Sequence, residues 1–150
     1  MKRYCTALLT ALFLLLLWGG AAQEYSLHKK LETCRIAALL PGKAGDLSWN
    51  DTNMEGILSC EEKLRVHIDC IDNVQEDEFE RTLLECGEHG YDLVLAAGEQ
   101  FTDAVNTVAR QYPNTFFCVV NGSRADVKNV VAVRPREYEA SSMAAELTAR

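Results

Sequence analysis

From Cys34 onward, short apolar runs alternate with longer stretches of helical spacing, and this alternation leaves few folds open. Five apolar runs read as strands: residues 34–40, 66–71, 91–97, 115–120, and a run within 127–133. Pro41-Gly42 closes the first. The third is nearly continuous in apolar residues, as expected of a parallel strand buried on both faces. Between the strands, residues 49–63 set Met54, Ile57, Leu58 and Leu64 at helical spacing. Residues 74–88 do the same with Phe79, Leu83 and Cys86. Residues 101–112 turn Phe101, Ala104, Val105, Val108 and Ala109 inward. A fourth helix is expected from Glu137 on, apolar at Met143, Ala144 and Leu147. Strands and helices in strict alternation, joined by short connections, predict an α/β fold. Its core is a parallel, doubly wound (Rossmann-like) sheet made of right-handed βαβ units. The pattern stops inside that last helix, which reads as a polypeptide shorter than the design it belongs to.

The first 22 residues read as a secretory signal peptide rather than as fold. Lys2 and Arg3 precede an apolar run from Ala7 to Trp18 broken only by Thr10, and Gly19-Gly20-Ala21-Ala22 follows. The run is short for a membrane span, and small residues suit cleavage near Ala22. Residues 23–33 are a polar linker, and residues 34–150 form one α/β domain. No Cys follows the apolar run, so a lipid-modified mature N-terminus is not encoded. Lys2 and Arg3 are two of the 15 basic residues, so the remainder carries 13 Lys and Arg against 22 Asp and Glu, a formal charge of −9. Nucleic acid and anionic lipid both call for a basic surface, so neither is an expected partner. Five Cys remain, at 34, 60, 70, 86 and 118, in no metal-ligand spacing. They read as small core hydrophobes.

In open parallel sheets ligands bind beyond the carboxyl ends of the strands. Residues 41–50 follow the first strand and bring Asp46, Ser48, Trp49 and Asn50 to the start of a helix. Gly98 to Phe101 follow the third strand, Asn121 to Arg124 the fourth, and Arg134 to Tyr138 the fifth. Carboxylates, amides and rings gathered there suit a small polar molecule with a flat ring. Each residue also has a plainer use. Asp46 or Ser48 can cap the helix, Trp49 can pack on the core, Gly98 can serve only a turn, and Asn121-Gly122 is a common turn pair. Arg134 and Arg136 read as solvated or paired with Glu137 and Glu139. Two glycosylation sequons, at Asn50 and Asn121, read as chance. No nucleophile elbow, dinucleotide fingerprint or phosphate-cradling loop is present, so neither an enzyme nor a cofactor or metal site is expected.

Gly45-Asp46-Leu47-Ser48-Trp49-Asn50 with Glu55-Gly56 resembles the first loop and helix of the basic membrane protein (PnrA-like) family. Glu76, Gly90-Tyr91-Asp92-Leu93-Val94, Asp103-Ala104-Val105, Tyr112-Pro113 and Arg136-Glu137-Tyr138-Glu139-Ala140-Ser141 are similar in order and spacing. The resemblance covers residues 34–150. It implies a non-enzymatic substrate-binding protein of an ABC uptake system, with two α/β lobes closing on a ligand that is commonly a purine nucleoside. This chain matches the N-terminal lobe of that type I periplasmic-binding-protein fold, with the second lobe absent. The resemblance implies that Trp49 stacks on the base and that Asp46, Ser48 and Asn50 line the pocket. Gly98 and Phe101 match the turn after the third strand and, with Asn121, complete the implied ligand-binding set. Asn121 stands where nucleoside-binding members often carry Asp, and amide for carboxylate changes the donors and acceptors offered. An ABC permease and ATPase are the implied partners, and membrane association runs through them alone. The implied location is the outer side of the cytoplasmic membrane. The alternative is a single-lobe exported module for interaction or regulation that has lost ligand clamping.

Overall fold

A computed structural model describes residues 33–135; the expected signal peptide, most of the linker and the expected fourth helix lie outside the described residues. Five strands form one parallel sheet: β1 (Ile36–Leu39), β2 (Ile68–Ile71), β3 (Leu93–Ala97), β4 (Phe116–Val120) and β5 (Val130–Val133). Their order is β2-β1-β3-β4-β5. Ile36 lies opposite Ile68 on one side and Leu93 on the other, and Phe117 lies opposite Val130. The chain crosses from β1 to β2 through α1 (Trp49–Leu64), from β2 to β3 through α2 (Phe79–Glu88), and from β3 to β4 through α3 (Thr102–Val108). No helix among the described residues is long and apolar enough to cross a membrane.

Alternation along each strand sends side chains to opposite faces. One face carries Ala37, Leu39, Val94, Ala96, Phe117 and Val119 against Phe79 and Leu83 of α2 and Val105 and Val108 of α3. This is the main core. On the other face Ile36, Ala38 and Ile68 meet Ile57 of α1 in a smaller cluster. Among the described residues one helix covers this face, and it does not span five strands. Phe116, Val131 and Val133 stay more than half exposed as a result. Between β4 and β5 there is no helix. Instead the buried Asn129 Nδ2 donates to the carbonyls of Ala109, Tyr112 and Thr115 at 3.1, 3.0 and 2.8 Å, tying the end of the α3 segment to the start of β4.

Four expectations change. Residues 74–88 are not one helix: Val74 N donates to Leu40 O at 3.1 Å, Gln75 is extended at φ −78° and ψ 157°, and a 3₁₀ turn (Glu76–Glu78) precedes α2. A second 3₁₀ turn (Glu99–Phe101) likewise precedes α3, which ends at Val108. Along α1 only Ile57 and Asn50 are buried, while Leu58 and Leu64 are exposed. The cysteines also differ from the expected core set. Only Cys86 is buried, Cys34 and Cys118 are half-buried, and Cys60 and Cys70 are exposed, because α1 buries a narrow stripe and β2 is an edge strand. Burial, aided by the Glu85 and Asp69 charges, pushes the Cys86 thiol up to about 11. Since the thiolate is the reactive form, a disulfide reagent at pH 8 is expected to label Cys60 in the folded protein and Cys86 only after unfolding. Equal rates at the two positions, read by mass spectrometry, would contradict the burial pattern.

Candidate functional site

The carboxyl edge begins with the loop between Leu40 and α1. Asp46 caps the helix: Oδ1 accepts the Ser48 and Asp51 N–H groups at 2.9 and 3.2 Å, and Oδ2 accepts the Asn50 N–H at 3.2 Å and Asn50 Nδ2 at 2.7 Å. These bonds, the Ser48 N–H foremost, hold the Asp46 carboxyl below its ordinary range. Ser48 occupies the N-cap position but makes no side-chain cap bond, so its hydroxyl stays exposed at the edge. Asn50 is 8% exposed, and its Oδ1 accepts the Gly42 N–H at 3.2 Å. A Cβ on residue 42 would stand 2.4 Å from Asn50 Nδ2, so this approach requires glycine. Between these fixed points Trp49 is half-buried, and its Nε1–H donates to Ala97 O, at the end of β3, at 3.0 Å. Sequence spacing alone placed the loop and the β3 terminus at one edge; the indole hydrogen bond joins them.

The turn after β3 starts at Gly98, whose φ of +145° suits only glycine. Phe101 departs from its expected ligand-facing role. It is fully buried, its ring stacked on Phe79 with centroids 3.8 Å apart and planes 28° from parallel. It anchors the turn from beneath and does not reach the edge. The helical spacing of Phe101 with Val105 and Val108 already carried that signal. Asn121, at the end of β4, adopts φ +62°, and its backbone N–H donates to Val133 O at 2.6 Å. Its Oδ1 is buried and has no hydrogen-bond partner among the described residues.

A cleft opens beside these residues, in two adjoining parts of about 380 and 530 Å³. Pro41, Glu76, Asp77, Glu80, Gln100 and Asp103 lie in its walls. Pro41 and Gln100 connect it to the Asp46 loop and the Gly98 turn. Sequence reasoning passed over Asp77 and Glu80 because they read as the solvated side of a helix; the break before α2 turns them toward the edge. Four carboxylates face the cleft and no Lys or Arg lines it. Two neighbouring arginines are paired, one of them with a cleft carboxylate. Arg124 pairs with Asp103 and, at 2.8 Å, with Asp126, and Arg134 lies 3.9 Å from Glu99. Among the described residues no three His, Cys, Asp or Glu side chains are placed so that they could hold a metal ion.

Comparisons with known proteins bear on the fold and on the family. The chain is 28% identical over 128 residues to an uncharacterized lipoprotein of Pyrococcus abyssi (strain GE5 / Orsay), covering 83% of this chain and 31% of that protein. It is 26% identical over 129 residues to the transcriptional activator protein med of Bacillus subtilis (strain 168), covering 85% of this chain and 39% of the other. The crystal structure of an ABC transporter solute-binding protein from Aeropyrum pernix K1 superposes with a TM-score of 0.68 at 26% identity, over 74% of this chain and 31% of that one. The chain thus spans well under half the length of these relatives. The family model described as ABC transporter substrate-binding protein PnrA-like matches residues 33–149, and the chain belongs to that family.

Proposed function

We propose that this chain is one ligand-binding lobe of an extracytoplasmic solute-binding protein serving an ABC uptake system. Its ligand is a purine nucleoside or a related small polar molecule with a flat ring, bound at the carboxyl edge of the sheet. The observation that carries this reading is Trp49: a half-buried indole fixed to the end of β3 through Ala97 O, in the first loop of a substrate-binding family. In this reading the indole face stacks on the ring and Ser48 Oγ meets a polar group. Gly98 lets the ligand approach the backbone, and Asn121 stands beside it at the end of β4. Asp46 and Asn50 shape the wall, since their polar atoms are engaged with the loop itself. A second lobe supplies the opposite wall. The permease and ATPase are the partners, and residues 1–22 direct export.

The charge of the cleft narrows the ligand further. Glu76, Asp77 and Glu80 repel phosphate, while Asp103 is paired with Arg124 and Arg134 lies beside Glu99. A nucleoside is therefore favoured over its monophosphate. A ligand that binds only the folded state stabilises it by RT ln(1+[L]/Kd), about 2.7 kcal/mol at a hundred-fold excess over Kd. In a thermal-shift screen adenosine, inosine and guanosine are expected to raise the melting temperature, and the corresponding monophosphates to leave it unchanged. No response to any nucleoside at millimolar concentration would sink the nucleoside reading for this chain. The match to a Bacillus subtilis protein named a transcriptional activator supports a second reading, a regulatory module. At a formal net charge of −7, such a module acts through a protein partner rather than on DNA directly.

A further inference from the structure

Seven backbone N–H groups between Gly42 and Asp51 donate to only four side chains. Gly42 donates to Asn50, and Ala44 to Asp72 at 3.3 Å. Gly45 and Leu47 donate to the two oxygens of Asp51 at 2.5 and 2.8 Å. Ser48, Asn50 and Asp51 itself donate to Asp46. The two carboxylates therefore work in opposite directions. Asp46, in the loop, reaches forward to the first turn of α1, while Asp51, in that first turn, reaches back to the crest of the loop. Each closes the segment that the other leaves open, as a capping box does with its two reciprocal bonds. Leu47 lies under this clasp with φ +53° and its side chain 94% exposed. A leucine rarely holds a left-handed backbone, because Cβ crowds the following carbonyl. Such strain persists only where the surroundings over-determine it, and here the Asp51 carboxylate grips the Leu47 N–H directly.

We infer that Asp51 is the positioning residue of the ligand wall: it holds residues 45–47 against α1, so that Ser48 and Trp49 stand in their binding orientation before any ligand arrives. The inference rests on the solute-binding reading for what the wall serves, but the clasp itself involves no ligand. A wall ordered in advance leaves less ordering entropy to be lost on binding.

The test uses the full chain with Trp18→Phe, which leaves Trp49 as the only tryptophan of two. Acrylamide quenching and fluorescence anisotropy of Trp49 are measured without ligand. Asp51→Ala is expected to lower the anisotropy and to raise the quenching constant toward that of the urea-unfolded chain. Asp51→Asn keeps one acceptor and falls between. Glu55→Ala removes an exposed carboxylate one turn along α1 and is expected to leave Trp49 as in the parent. The far-UV melting transition reports separately that each variant is folded. In a binding arm with adenosine as probe, loss of the two Asp51 bonds weakens affinity about ten-fold. Unchanged quenching in Asp51→Ala would overturn the inference. So would an equal rise in Asp51→Ala and Glu55→Ala, which would mark simple fraying of the helix start. If adenosine fails to bind the parent, the nucleoside reading falls, and the ligand-free quenching comparison still decides the role of Asp51.

Discussion

Phe101→Ala is expected to destabilise the domain by about 3–5 kcal/mol, the usual cost of deleting a buried aromatic ring. The ring is wholly inside, stacked on Phe79 and surrounded by the cluster of Leu39, Val94, Ala96, Val105 and Phe117. Alanine leaves a cavity where α2, α3 and the centre of the sheet converge. A urea titration followed by far-UV circular dichroism reads the loss as a lower midpoint at an unchanged slope. Phe101→Leu keeps most of the volume and is expected to cost less than half as much. A midpoint within error of the parent for Phe101→Ala would return Phe101 to the ligand-facing role that its position after the third strand suggests.

Trp49→Ala is expected to lower nucleoside affinity by roughly ten- to hundred-fold, because stacking of a base on an aromatic side chain is worth about 1–3 kcal/mol. The indole is held by a single hydrogen bond to Ala97 O and is only half-buried, so its removal leaves the core intact. Titration calorimetry with adenosine reports the affinity, and the urea midpoint reports the fold. Trp49→Phe keeps a flat face while losing the bond to Ala97, and it is expected to fall between the parent and alanine. An alanine variant with parental affinity would remove Trp49 from the binding wall. The two variants separate the aromatic residues at this edge: Phe101 acts on stability, Trp49 on binding.

That division was only partly legible in the sequence. Phe101 and Trp49 both follow a strand and both begin a helical stretch, so position along the chain gave them similar roles. The clue to their difference was the spacing of Phe101 with Val105 and Val108, which put it on the buried stripe of its helix. Trp49 has no such stripe, because α1 buries little besides Ile57. The cysteines show the same limit. Cys70 sits in an apolar run and reads as core, yet it is exposed because β2 ends the sheet on one side. Nothing in residues 66–71 states that no strand will lie beyond them. The cleft carboxylates were hidden for a related reason: a helical pattern beginning at Val74 puts Asp77 and Glu80 in solvent. Val74 N instead donates to Leu40 O, 34 positions away, Gln75 is extended, and the helix starts later, with Asp77 and Glu80 in the wall of the cleft.

The sequence by itself determined the alternation of strands and helices, the parallel sheet that follows from it, and the loop of residues 41–50 as the first part of the edge. These are local matters, since hydrophobic period, turn residues and short connections act over a few neighbours. The tertiary structure decided which side chains the edge keeps free. Asp46, Asn50 and Asp51 are taken up by the loop's own N–H groups, Phe101 is drawn into the core, and Trp49 is pinned to a strand 48 residues away. The reason is that a buried or shielded polar group must find its partner wherever the fold brings one. For the Trp49 indole that partner is Ala97 O, brought from the end of β3 by the crossover; for Asp46, Asn50 and Asp51 it is the loop backbone, which only the folded turn brings within reach.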